Sequence, residues 1–245
     1  MGFSELKKFI FKITPIKILK MYQEPIKNQV RELDSFSTLS YSQEGEDLIL
    51  KRIFEGQKTG FYIDVGAHHP QRFSNTYLFY KMGWRGINID AMPGSMVKFK
   101  ELRPGDINVE IAVSDKEEIL TFHIFNEPAL NTFDTLNADR YQLDTNYKVI
   151  AKKELKVFPL VDVLDKYNSE EKQIDFMNID VEGLDLHVLK SNNWIKYKPL
   201  IILIELLEMK SIDEIQKSEI YIFLISKGYV FFAKTVNTCI FKVLN

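Results

Sequence analysis

From about residue 41 onward, apolar positions recur with two different spacings, and their alternation predicts the architecture. "SYSQEGEDLILKRIF" places Leu48, Ile49, Ile53 and Phe54 at helical spacing. "GFYIDVG" is strand-like, and "SNTYLFYKMG" then reads as a helix ending at Gly83. "RGINIDA" predicts a second strand and "GSMVKFKELRP" a second helix closed by Pro104. "INVEIAVSD" predicts a third strand, with "ILTFHIF" as an added strand beyond it. "QIDFMNIDVEG" and "DLHVLKSN" repeat the strand–helix unit. "PLIILIELL" is unbroken in its apolar character, as in a central parallel strand covered on both faces. "DEIQKSEIYIFLISKG" reads as one helix, and "YVFFAKTVNTCIFKVL" as two strands around Asn237 and Thr238.

Strands alternating with helices predict an α/β fold: an open, mostly parallel Rossmann-like sheet with helices on both faces and an antiparallel C-terminal edge hairpin. Residues 126–158 have weak periodicity and interrupt the rhythm, as an inserted lid or substrate wall would. The expected organisation is a helical arm over 1–40 and one domain over 41–245.

Composition refines this. The chain has 245 residues, 45% hydrophobic, and a net charge of −2, enough for one sizeable core and with no excess of charge suited to nucleic acid. Up to Arg31, seven Lys/Arg face Glu5 and Glu24, so the leader is basic and the remainder acidic. Such a leader suits an arm against a second subunit or a peripheral contact with an anionic membrane. Lysines break its apolar stretch, which argues against a secretion signal. The single cysteine, Cys239, lies in an alternating strand, reads as a core residue and fits a reducing cytoplasm. The abundance of Lys, Ile, Asn and Phe suggests a bacterial source.

Ligands of open α/β sheets bind beyond the carboxyl ends of the strands. Those ends read Asp64 with Gly66, Asp90, Ser114 with Asp115, Asp180 with Glu182, and Glu205. A dinucleotide loop needs G-x-G-x-x-G. Counting from Gly66, the second glycine position is His68 and the third Gln71, and Pro70 removes a donor. A pyrophosphate is poorly served, whereas S-adenosylmethionine carries no phosphate and its sulfonium favours nearby carboxylates. Asp90 would accept from the ribose hydroxyls, Ser114 and Asp115 would reach the adenine edge, and His68 would line the cofactor. Adjacent histidines point apart, so His69 before Pro70 reads as a turn residue and not as half of a metal site.

The chain resembles the FkbM family of S-adenosylmethionine-dependent methyltransferases. The resemblance is carried by "YSQEGEDLIL" at 41–50, "YIDVGAHHP" at 62–70, "NIDAMP" at 88–93, "AVSD" at 112–115 and "IDVEGLDLHVLK" at 179–190. It implies a class I methyltransferase fold and methyl transfer to oxygen, commonly on sugars or secondary metabolites. It also implies that Gln43 and Glu46 approach the methionine end of the cofactor, with Asn75 beside them. The motifs add Ala67 and Ala91 to the cofactor floor.

For catalysis, Asp180 is the first candidate to take the proton of an acceptor hydroxyl and Glu182 the second, although Glu182 could instead serve a helix dipole. A Mg2+ ion between Asp180 and Glu205 is the less favoured route. The expected acceptor is a nucleotide-activated sugar for bacterial capsule or lipopolysaccharide. Arg140, Lys148, Lys152 and Lys153 could meet its phosphates, or could simply be solvated surface. The rival readings are an NAD-dependent sugar enzyme, a metal-dependent sugar-nucleotide glycosyltransferase and a binding module without chemistry.

Overall fold

A computed structural model describes residues 36–207, 209 and 211–244. The chain divides between residues 39 and 40, and everything that follows concerns the unit from Ser40 onward. The expected helical arm lies almost entirely outside the described residues.

The elements run α1 (Glu46–Ile53), β1 (Phe61–Val65), α2 (Tyr77–Lys81), β2 (Arg85–Asp90), α3 (Met96–Leu102), β3 (Ile107–Glu110), β4 (Ala112–Ser114) and β5 (Glu118–Phe125). A single 3-10 turn at Pro128–Leu130 leads to α4 (Thr135–Asp144), β6 (Val149–Pro159), α5 (Leu160–Tyr167), β7 (Phe176–Ile179) and α6 (Asp185–Lys190). The chain continues through β8 (Ile201–Glu205), α7 (Ile212–Lys217), α8 (Glu219–Ser226), β9 (Tyr229–Lys234) and β10 (Thr238–Val243). Seven strands form the main sheet in the order β3-β2-β1-β7-β8-β10-β9. The first five are parallel, and β10 and β9 pair antiparallel at one edge. The strand order reverses between β1 and β7, and that is where a crevice opens in such sheets.

Period-two alternation sorts the two faces. Ile63, Val65, Met177, Ile179, Ile202 and Ile204 pack against α5, α6, α7 and α8 through Leu160, Leu164, Val188, Leu189, Ile215 and Leu224. The alternate residues Tyr62, Phe176, Ile201 and Leu203 face Leu50 and Phe54 of the α1 segment and Phe79 of α2. Cys239 is wholly buried in the first of these cores. Among the described residues, no helix is long and apolar enough to cross a membrane.

Five details depart from the sequence reading. "INVEIAVSD" is not one strand: β3 ends at Glu110, and β4 leaves to pair with β6 in a separate three-stranded sheet, β4-β6-β5. The segment 126–158 is more ordered than its weak periodicity implied, because β6 pairs along β5 from Val149 to Val157. Helix α5, over "LVDVLDKY", was not anticipated; its Leu160 N–H is held by Ser191 Oγ at 2.9 Å. "DEIQKSEIYIFLISKG" divides at Ser218, whose side chain accepts from the Tyr221 N–H and starts α8 afresh. In α1 the deeply buried position is Leu50, while Leu48, Ile49 and Ile53 border a shallow groove shared with Phe232.

Candidate active site

Beyond the carboxyl ends of β1, β2, β7 and β8 lies a cavity of about 1220 Å³. Gly66 makes it possible. With φ at +84°, it turns the chain at the end of β1, and a Cβ there would stand 1.7 Å from the Asp180 carbonyl oxygen. Its N–H and that of Ala67 both donate to the Ile89 carbonyl, at 2.9 and 3.0 Å, so the turn is tied to β2. Ala67 packs on Met96 and Phe99 of α3.

Asp90, at the end of β2, accepts from the backbone N–H groups of His68 and Met92, each at 2.8 Å. Burial raises its carboxyl above the usual range, and the two N–H groups oppose that shift. Each oxygen retains acceptor capacity toward the cavity, which Asp90 and Ala91 both line. His68 sits in the left-handed region at φ +50°, and burial, reinforced by Arg72, pushes its imidazole down to about 4. Its Nε2 is buried without a hydrogen-bond partner. His69 is a turn residue as expected, its Nδ1 accepting from the Gln71 and Arg72 N–H groups.

Asn88, Asp64 and Asn178 stand in register across β2, β1 and β7. The Asp64 carboxylate accepts from Thr76 Oγ1 at 2.6 Å and Asn178 Nδ2 at 2.9 Å, and burial raises it. Asn178 accepts in turn from Asn75 Nδ2 at 2.9 Å, leaving the buried Asn75 Oδ1 without a partner. Asp64 therefore braces the loop that carries Asn75. Gln43 and Glu46 line the same cavity. Glu46 accepts from the Glu44 N–H at 2.9 Å and from Thr238 Oγ1 at 3.1 Å, which fixes the start of α1 against the β9–β10 turn. The neighbouring Asp47 has a structural task, collecting Ser40 Oγ, the Tyr41 N–H and Ser42 Oγ at 2.6–2.9 Å.

The acid cluster closes the far side. Asp180, Glu182 and Glu205 each bring a carboxylate oxygen within 4.8 Å of the others. Burial and then the Glu205 charge raise Asp180 well above the ordinary carboxylate range. Glu182 is pushed up to about 8 by burial and by Asp180, against the opposing hydrogen bond from Tyr141. Glu205 is pushed up to about 8 by burial and by Glu182. Three carboxylates this close cannot all ionise unaided, so the group holds protons or receives a cation. A divalent cation could be held by these three, with Glu182 supplying the third oxygen that the strand ends alone did not offer.

The cluster sets an expected pH dependence of stability. An ordinary glutamate releases its proton near 4.5, whereas Glu205 in the folded protein keeps it to about 8. The native state binds more protons across that interval, so stability declines as pH climbs from about 4.5 to 8. Glutamine does not titrate. Glu205→Gln should therefore raise Tm over wild type at pH 8, by about 2–4 °C per kcal/mol recovered, and change it little at pH 5. Thermal unfolding at the two pH values measures this.

Ser114 and Asp115 do not line the cavity. Because β4 leaves the main sheet, Ile111 and Val113 take the place expected of them, and Asp115 lies 3.1 Å from His187 Nδ1 outside the cavity. Of the inserted segment, residues between 127 and 147 form the opposite wall, with Phe133, Arg140 and Tyr141 among them. Arg72 binds Glu127 through both terminal nitrogens, at 3.0 and 3.3 Å, joining that wall to the loop after β1. Lys152 and Lys153 are exposed on β6, and Lys148 donates to the Gln142 carbonyl; none of the three lines the cavity.

Sequence reasoning missed Tyr141, Asn178 and Asp185. The acid of "VEGLD" carried the signal for Asp185, which accepts from the Val181 and Gly183 N–H groups and holds the turn after β7. The model of the methyltransferase FkbM domain matches residues 64–231. None of the curated proteins and none of the solved structures matches the chain.

Proposed function

Since the chain belongs to the FkbM family of methyltransferases, we propose that its cavity binds S-adenosylmethionine and that it methylates a hydroxyl group of a sugar. The observation that carries this reading is one continuous cavity between Gly66 with Asp90 at one end and the Asp180–Glu182–Glu205 cluster at the other. Residues and ligand suit each other. The close approach at Gly66 leaves room for a nucleoside across the end of β1, Asp90 offers acceptors for two ribose hydroxyls, and His68 and Asn75 line the same cavity. S-adenosylmethionine would supply an electrophilic methyl group on a cationic sulfur.

The chain's own residues do the rest. The acid cluster would attract the cationic sulfur and so contribute to cofactor binding. Asp180, at the end of β7, or Glu182, on the turn after it, takes the acceptor's proton as the oxygen is methylated. Alignment of two bound reactants contributes about 7–11 kcal/mol in such a reaction. The wall from the inserted segment, with Arg140 and the aromatic rings of Phe133 and Tyr141, suits a sugar whose ring stacks and whose attached phosphates meet the guanidinium. A nucleotide-activated sugar of bacterial surface polysaccharide is the acceptor this reading favours, in the cytoplasm where such donors are made. Gln43 and Glu46 would face the methionine end.

The test is incubation of the protein with S-adenosylmethionine and a panel of sugar nucleotides, followed by mass spectrometry. One product heavier by a methylene group supports the reading; turnover of none, with no calorimetric binding of S-adenosylmethionine, sinks it. Asp90→Ala should weaken cofactor binding about 10–100-fold in calorimetry, because hydrogen bonds to a charged group contribute about 1.5–3 kcal/mol. Unchanged affinity would remove the ribose assignment.

A further inference from the structure

We propose that Tyr141 is the positioning residue for the Glu182 carboxyl, and that Thr132, on the same inserted segment, fixes the backbone that presents it. The proposal rests on the methyl-transfer reading above and names how that site is set.

Glu182 has φ +53°, in the left-handed region that side chains larger than asparagine seldom adopt. Gly183 follows at φ +110°. Strain of this kind persists only where neighbours hold it. From its own side the turn is held by Asp185, which accepts from the Val181 and Gly183 N–H groups at 3.2 and 3.1 Å. From the other side it is held by the insertion. Thr132 Oγ1 donates to the Glu182 carbonyl at 2.5 Å, and Tyr141 Oη donates to Glu182 Oε2 at 2.9 Å.

The segment is built to deliver both groups. Thr132 is anchored by reciprocal backbone hydrogen bonds with His123 of β5. Asp134 then caps α4 by accepting from the Leu136 and Asn137 N–H groups, and its helix carries Tyr141 to the turn, with the ring edge-on to Phe125. A Cβ at Gly183 would come 2.7 Å from Asn137 Nδ2, so this turn and α4 lie in close contact. The acceptor wall and the proton-taking carboxylate are thus set by one piece of chain. Asp180, Glu205 and Asp185 also face Glu182, all of one sign, with Arg140 opposing them. Tyr141 is therefore the neutral donor that directs one oxygen of a crowded group.

Tyr141→Phe keeps the ring and Thr132→Val keeps the shape. With the sugar nucleotide that wild type methylates, each should leave S-adenosylmethionine affinity within about twofold and lower kcat, about tenfold in Tyr141→Phe for a lost hydrogen bond to the carboxyl and about threefold in Thr132→Val for a lost bond to a neutral carbonyl. Glu182→Gln with Tyr141→Phe should be no slower than Glu182→Gln alone. A further loss in the double variant, or cofactor affinity falling in step with kcat, overturns the proposal. Should wild type methylate nothing, the methyl-transfer reading fails, and infrared difference spectra still decide the pairing. The carboxyl band present in wild type and absent from Glu182→Gln should shift in Tyr141→Phe. An unshifted band overturns it.

Discussion

Asp180→Asn is expected to bind S-adenosylmethionine within a few fold of wild type and to transfer its methyl group about 100–10,000 times more slowly. The side chain sits at the end of β7 beneath the turn that carries Glu182, and burial together with the Glu205 charge resists its ionisation. A group so placed gives up little on accepting a proton, which is what an attacking hydroxyl requires of its neighbour. Asparagine keeps the volume and removes the basic oxygen. Single-turnover rates with saturating cofactor, beside calorimetric affinity, separate the two effects. A variant that binds and turns over normally would move the proton transfer to Glu182 alone. A variant that fails to bind would make Asp180 a cofactor residue first.

Gly66→Ala has the other large expectation. Two independent costs fall on one residue, a backbone at φ +84° and a Cβ that would meet the Asp180 carbonyl oxygen at 1.7 Å. No rotation of a side chain relieves the second, because the atom it meets is backbone of the neighbouring strand, so β1 and β7 must part where the cavity begins. A loss of about 4 kcal/mol or more is expected, which is about 10 °C in Tm for a domain of this size. Gly45 is the control. It has nearly the same φ, +87°, with nothing within 4 Å of its notional Cβ, so Gly45→Ala should cost only about 1–2 kcal/mol. Equal melting temperatures for the two variants would remove the steric part of this account.

The sheet was largely legible because its signals are local. The apolar runs in "FYIDV" and "IILIE" report burial on two faces, and the residues that end those strands, Gly66 and Glu205, could be named from position alone. What failed depended on partners. "INVEIAVSD" looks continuous, and only the pairing of Ala112 with Val157 reveals that the chain changes sheets, which removed Ser114 and Asp115 from the rim. Asn178 reads as an ordinary polar residue until Asn75, 103 positions earlier, is seen to donate to it. Tyr141 meets Glu182 across 41 positions, and nothing in the helix around it announces that meeting. Asp47 and Asp185 share motifs with cavity-lining residues, yet Asp47 accepts from two serine hydroxyls and one backbone N–H and Asp185 from two backbone N–H groups, so the motif alone does not say which acid faces a ligand.

The turn between β9 and β10 reaches back across the fold, with Thr235 Oγ1 and the Asn237 N–H both donating to Glu44 at 2.6 and 2.8 Å. The partners lie more than 190 positions apart. A nascent chain can assemble the parallel strands as they emerge, but the wall bearing Gln43 and Glu46 gains its last fastening only when residues 235–238 arrive.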